Sequence, residues 1–238
     1  VTGLFEVDRM YRFKAGSGMP VIIPAIDMIE IGAGGGSLAS VDALGLLKVG
    51  PRSAGSEPGP ACYGRGGENP AVTDADLVLG LLDADNFLGG DMQLDKAASE
   101  AAIKPLADKL GTSVQQTARG IFQVVNESMA AAARAHATDR GIDYRGMPVL
   151  AFGGAGPVHA CHVAELLEST TVIYPPLASV LSAFGTLVTP VRFDLARGTA
   201  GGIDWEQAGK TYSEMASEAG IALEAAGCAP EEIEYVYG

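Results

Sequence analysis

Basic residues are scarce: 16 Lys and Arg stand against 29 Asp and Glu in 238 residues, a formal net charge of −13. A nucleic-acid interface needs a basic face to neutralise phosphates, and the chain holds no run of Lys and Arg to build one. The same lack excludes a polybasic membrane anchor. No stretch reaches the ~18 consecutive apolar residues that read as a membrane span. Val1–Met10 lacks a signal peptide's charged-then-apolar layout. Cysteine is nearly absent: Cys62, Cys161 and Cys228 are odd in number and far apart, so they form no disulfide framework. A reducing cytoplasm is the expected compartment. An initiator Met is missing too, and Glu231–Gly238 (EEIEYVYG) reads as a strand that begins where the chain stops. The chain is therefore expected to be an internal piece of a longer protein.

What is present is apolar and rich in glycine. Hydrophobic residues make up 47% of the chain and charged residues 19%, a globular balance with enough apolar material for one large core or two modest ones. The 32 glycines are about twice the usual ~7%. They cluster at Gly32–Gly36, Gly50–Gly67, Gly153–Gly156 and Gly198–Gly202. Such bunching marks backbone in unusual dihedrals, or backbone that a ligand must approach closely.

Along the chain, Val21–Glu30 (VIIPAIDMIE) is β-branched and reads as a buried strand feeding Ile31–Ser37. Ser37–Val49 alternates as a hairpin would, and Gly50–Asn69 is a long loop of the kind that is usually functional or disordered. Asp95 caps a helix running to Leu110, with a kink at Pro105 and an end at Gly111. Ser113-Val-Gln-Gln116 is a capping box for a second helix, ended by Gly141. A strand at Pro148–Phe152 leads through Gly153–Gly156 into a helix from Pro157 to Glu168. Then come a strand at Thr171–Tyr174, a short helix at Ser179–Val188 and an amphipathic helix at Trp205–Gly227. Strands alternating with helices predict an α/β layered fold. No internal repeat is visible, and the one candidate boundary is Arg197–Gly202.

Two glycine-rich junctions carry the candidate chemistry. IGAGGGS can converge several backbone N–H groups on an anion, or it can be a plain tight hairpin. It is neither a P-loop, because Gly36 is followed by Ser37-Leu38, nor the GxGxxG fingerprint, because position 37 is Ser. AFGGAGP joins a strand to a helix, the usual ligand position in α/β folds; close strand–helix packing is the other reading.

The runs IDMIEIGAGGGSLASVDALGLLKVGPRSAGSEPGPACYGRGG, AVTDADLVLGLLDADNFLGG and VLAFGGAGPVHACHVAELL resemble the hydantoinase/oxoprolinase family, specifically its A-type subunit. The similarity covers roughly residues 10–200. It implies one lobe of an actin-like (ribonuclease H-like) ATPase fold, a mixed sheet with packed helices, with residues 1–198 as the second, nucleotide-binding lobe and 199–238 as the start of a C-terminal region. It implies hydrolysis of cyclic amides such as hydantoins or 5-oxoproline at the expense of ATP, with a B-type partner subunit. Close relatives carboxylate ketones, which leaves that activity as the alternative, beside a non-enzymatic actin-like nucleotide switch. The PGPACYGRGG loop fits the amide-opening branch better.

By the same resemblance IGAGGGS is the second phosphate-binding turn, implicating Gly32, Gly34, Gly35 and Ser37. Glu30, with Asp27 just upstream, takes the place of the acid that orients a Mg²⁺-bound water. FGGAGP is the adenosine-binding turn, implicating Gly153, Gly154 and Gly156. The family's first phosphate turn, an Asp-x-Gly-Gly-Thr-like segment, is not in this chain, so the chain alone is not expected to turn over ATP.

The remaining chemistry-bearing residues have plainer readings. His159 and His162 are spaced to share a metal, but no fourth ligand is near in sequence and packing is the simpler expectation. Cys62 needs a base or cation to become a nucleophile, and only Arg65 is close. Arg52 and Arg65 suit a solvated surface or an anion. Asp74 and Asp76 suit helix capping or Mg²⁺, and Asp83, Asp85 and Asp91 suit turns.

Overall fold

The computed structural model describes residues 28–198 and 204–237. The fold is α/β, and the chain divides into two compact units. One unit is Ile29–Leu187; the other holds Met28 and, of the described residues, 188–198 and 204–237.

The first unit opens with an antiparallel hairpin, β1 (Ser37–Val41) and β2 (Leu47–Ser53). Asp42 makes its tip: the carboxylate accepts from the Leu44 and Leu46 N–H groups at 2.9 Å each, and the Leu46 bond chiefly holds its pKa below the usual carboxylate range. A short helix, α1 (Val72–Val78), follows the long loop, and all seven of its residues are buried. It is the axle of the unit. Around it pack α2 (Lys96–Leu110) and α3 (Val114–Asp139). Val72, Ala75 and Val78 of α1 meet Ile103 and Leu106 of α2 and Ala118, Ile121 and Val125 of α3, with Ala39 of β1 closing the cluster. Full burial of an Ile or Val side chain stabilises by ~1.5–3 kcal/mol.

The expected capping residues are in place. Asp95 accepts from Ala98 N–H at 3.0 Å, and Gly111 ends α2 in the left-handed region at φ 65°. Pro105 lies inside α2, which continues through it. Ser113 and Gln116 form the reciprocal capping box of α3, at 3.2 and 3.0 Å. Gly141, at φ 65°, follows its end.

The second sheet is parallel: β3 (Val149–Leu150) pairs with β4 (Val172–Ile173). Between them runs α4 (Gly156–Leu166), which packs on α3 and β4. Arg134 of α3 donates to the Leu166 carbonyl at 3.0 Å, holding the far end of α4. After β4 comes α5 (Leu181–Val188).

The other unit is built on α6 (Trp205–Ala225), capped by Asp204. Arg197 bridges Glu214 and Glu218 of α6 at 3.2 and 2.6 Å, and Tyr237 meets Tyr212 edge-on at 5.4 Å. The strand expected at Glu231–Gly238 does not form among the described residues. Pro230–Glu232 is a 3-10 turn, with Glu232 accepting from Ala229 N–H at 3.3 Å, and residues 233–237 have no regular structure. Of the strand expected at Val21–Glu30, residues 21–27 lie outside the described residues, and Met28–Glu30 are exposed and irregular.

Candidate functional site

The turn at 32–37 is closed from within. The Ser37 N–H donates to the Gly34 carbonyl at 3.0 Å and the Gly34 N–H donates to Ser37 Oγ at 3.0 Å. The Ser37 hydroxyl donates in turn to the Gly32 carbonyl at 3.4 Å. Ser37 is buried, and its hydroxyl is engaged inside the turn.

Three of the glycines are closely packed. A Cβ on Gly32 would lie 2.6 Å from Pro51 Cβ and 2.8 Å from Pro51 Cα; on Gly36 it would meet Ser53 Oγ at 2.8 Å. On Gly35 it would meet Thr73 Oγ1 at 2.8 Å and the Ala155 Cβ at 3.3 Å. Thr73, in the first turn of α1, clamps the same residue: its N–H and its hydroxyl both donate to the Gly35 carbonyl, at 2.8 and 2.9 Å. Gly34 differs, because a Cβ there meets nothing within 4 Å.

The turn at 153–156 is built the opposite way. Gly153 has φ +93°, a conformation that favours glycine, and its N–H donates to the Ala178 carbonyl at 2.8 Å. Beside Gly153, Gly154 and Gly156 a Cβ would meet nothing within 4 Å among the described residues. Ala155, between the last two, is the residue whose Cβ an added Gly35 Cβ would meet, so the two turns adjoin. Among the described residues the N–H groups of Gly35, Gly36, Gly154 and Gly156 donate to no other group. Unpaired N–H groups at two adjoining turns, one of them at the N-terminus of α4, suit an anionic ligand.

Glu30 is exposed in the irregular segment entering the first turn; Asp27 lies outside the described residues. Arg52 and Arg65 are exposed. Cys62 is fully buried against Leu77 and Leu94, and burial, then the Asp74 carboxylate, push its thiol far up. A thiol held protonated cannot be the nucleophile weighed above. Asp74 is also fully buried. Its carboxylate accepts from the N–H groups of Ala61, Cys62 and Ala71 at 3.1, 2.8 and 2.8 Å and from Ser99 Oγ at 2.8 Å. It caps the start of α1 and pins the glycine-rich loop to α2. Asp76 is not a cap. It faces His159 of α4 across 3.4 Å, both side chains buried, and Phe122 stacks on the imidazole with centroids 5.1 Å apart.

His162 pairs with Glu165 at 3.2 Å, and the described residues hold no group of three or more ligating side chains suited to a metal. No helix among the described residues is long and apolar enough to cross a membrane. Thr73 and the Asp76–His159 pair escaped the sequence reading. A polar residue in a segment bracketed by Pro70 and Gly80 was the available signal.

The architecture is that of an α/β protein with two adjoining glycine turns that expose backbone donors. Over residues 2–195 the chain matches the hydantoinase/oxoprolinase family, and it belongs to that family. It is 44% identical to caprolactamase subunit alpha of Pseudomonas jessenii over 72% of this chain and 25% of that one. It is 40% identical to the acetophenone carboxylase gamma subunit of Aromatoleum aromaticum (77% and 25%) and 36% identical to 5-oxoprolinase 1 of Arabidopsis thaliana (71% and 14%). The crystal structure of the ATP-dependent caprolactamase of P. jessenii superposes with a TM-score of 0.65, at 43% identity over 73% of this chain and 25% of that one. The chain thus spans about a quarter of the length of the caprolactamase and acetophenone carboxylase subunits it matches.

Proposed function

We propose that this chain is the ATP-holding part of an A-type subunit that opens cyclic amides at the expense of ATP. The observation that carries the reading is the meeting of the two turns at Gly35 and Ala155, with open space beside Gly34, Gly154 and Gly156. A Cβ would fill that space, and glycine keeps it clear for a ligand. The residues fit the nucleotide. Gly32, Gly34, Gly35 and Ser37 form the phosphate turn, and Gly153, Gly154 and Gly156 the adenosine turn. Glu30 and Asp27 are the acids assigned to orient a Mg²⁺-bound water. Residues 1–198 are the second lobe of an actin-like ATPase and 199–238 begin a further region; the first phosphate turn comes from outside residues 1–238. A B-type subunit is the partner, and the cytoplasm, where ATP is abundant, the compartment.

The division of labour follows from the chemistry. An amide is a poor leaving group, and bound ATP supplies the phosphoryl group that makes ring opening feasible. The chain's own task is positioning and charge neutralisation, which dominate phosphoryl transfer. Gly35 and Gly36 offer N–H groups to phosphate oxygens, while Ser37 keeps the turn in shape from inside. Thr73 keeps the phosphate turn on α1, and Ala155 sets it against the adenosine turn.

A second reading, an ATP-dependent ketone carboxylase, is favoured by the 40% identity to the acetophenone carboxylase subunit. One experiment separates the possibilities. The complete protein with its partner is supplied with ATP, Mg²⁺ and a cyclic amide (a lactam, a hydantoin or 5-oxoproline). The account expects phosphate release stimulated by the amide and no ring opening without ATP. Ring opening at the same rate without nucleotide contradicts it. Turnover of a ketone that requires bicarbonate gives the carboxylase instead, and phosphate release indifferent to any substrate gives a nucleotide switch.

A further inference from the structure

The turns are joined behind their surfaces by a second route. Thr73 holds Gly35 to α1, and three residues on the same helix carries Asp76, whose Oδ2 faces His159 Nε2 at 3.4 Å. His159 lies near the start of α4, four residues after Ala155, and the Ala155 Cβ lies 3.3 Å from where a Gly35 Cβ would be. The circuit Gly35–Thr73–Asp76–His159–Ala155 is closed. Helix α4 packs on α3 and β4, and among the described residues Asp76–His159 is the one ion pair or side-chain hydrogen bond between α4 and α1. Asp76 is 2% exposed and His159 0%. The two ring nitrogens and Asp76 Oδ1 make no hydrogen bond among the described residues; the close approach of Asp76 and the Phe122 stack hold the imidazole in place. A buried polar pair adds little net stability over apolar residues of equal volume and is better suited to fixing one arrangement of the elements it joins.

We propose that Asp76 and His159 are positioning residues that fix the separation of the two glycine-rich turns and so couple the phosphate end of a bound nucleotide to its adenosine end. The inference rests on the nucleotide reading above. A ligand that touches one turn gains nothing from their alignment. A ligand that spans both binds tightly only when the protein has already set the distance, because ordering the two turns otherwise opposes binding.

The test compares ATP with adenosine on the complete protein and its His159→Gln variant, by calorimetric titration well below each melting temperature. The expected result is an ATP Kd raised about tenfold with the adenosine Kd within about twofold. A variant that merely loosened the fold would weaken both alike. Asp76→Ala removes the carboxylate opposite Nε2 and should likewise raise the ATP Kd about tenfold with the adenosine Kd within about twofold; it carries the same test should His159→Gln fail to fold. Equal weakening of ATP and adenosine, or no change in either, overturns the proposal while leaving the nucleotide reading intact. Failure of the unaltered protein to bind ATP removes that reading, and this proposal with it.

Discussion

The turn at 32–37 is locked by its own chain, whereas the turn at 153–156 is tied at one end and bare along its length. In the first, Pro51, Ser53 and Thr73 crowd the glycine carbons and Ser37 spends its hydroxyl inside the bend. In the second, one glycine answers to a backbone angle and the other two answer to nothing described in the fold. Glycine therefore has two meanings in one molecule. Where the protein packs against it, substitution damages folding. Where nothing packs against it, substitution leaves folding alone and reports on whatever binds.

That contrast can be broken by substitution, and the largest effect is expected at Gly32. An added methyl group would meet the Pro51 Cα at 2.8 Å, and backbone cannot step aside as a flexible side chain can. Gly32→Ala should destabilise the unit by about 2–3 kcal/mol, read as a lower denaturation midpoint with an unchanged slope. A neutral result would mean that the turn is loose, and the contrast would collapse. Ser37→Ala should cost less, about 1 kcal/mol, because it removes the acceptor of the Gly34 N–H and the donor to the Gly32 carbonyl without adding bulk. If Ser37→Ala leaves stability untouched, the hydroxyl is free for a ligand instead. The smallest effect on folding belongs to the open turn, where Gly154→Ala should leave the melting temperature unchanged or slightly raised, since alanine narrows the unfolded ensemble.

Much of the fold was readable because its helices announce their ends. Asp95, Gly111, and the Ser113/Gln116 box sit where capping chemistry demands. Helix α3 shows one apolar stripe because one side of it faces solvent. Helix α1 shows none. Every face of it is buried, so the periodicity that betrays an amphipathic helix is absent and its two aspartates read alike as capping or Mg²⁺ candidates. In the structure Asp74 ties four donors and Asp76 meets a histidine 83 positions away. Long-range partners of that kind leave no mark in local spacing. The C-terminal EEIEYVYG has strand-like composition, yet Pro230 and the Glu232 cap turn its start into a 3-10 bend. The glycine clusters themselves were plain in the sequence. Which glycines serve packing and which face open space depended on neighbours such as Pro51 and Thr73, distant in the chain.

The most direct test of the account is the ATP affinity of Gly154→Ala in the complete protein, measured beside its melting temperature. With no atom within 4 Å among the described residues, the new methyl group is expected to be felt by a ligand and not by the fold. The account predicts an unchanged melting temperature and an ATP Kd raised at least tenfold, about 1.4 kcal/mol. An ATP affinity equal to that of the unaltered protein would show that this turn does not face the nucleotide.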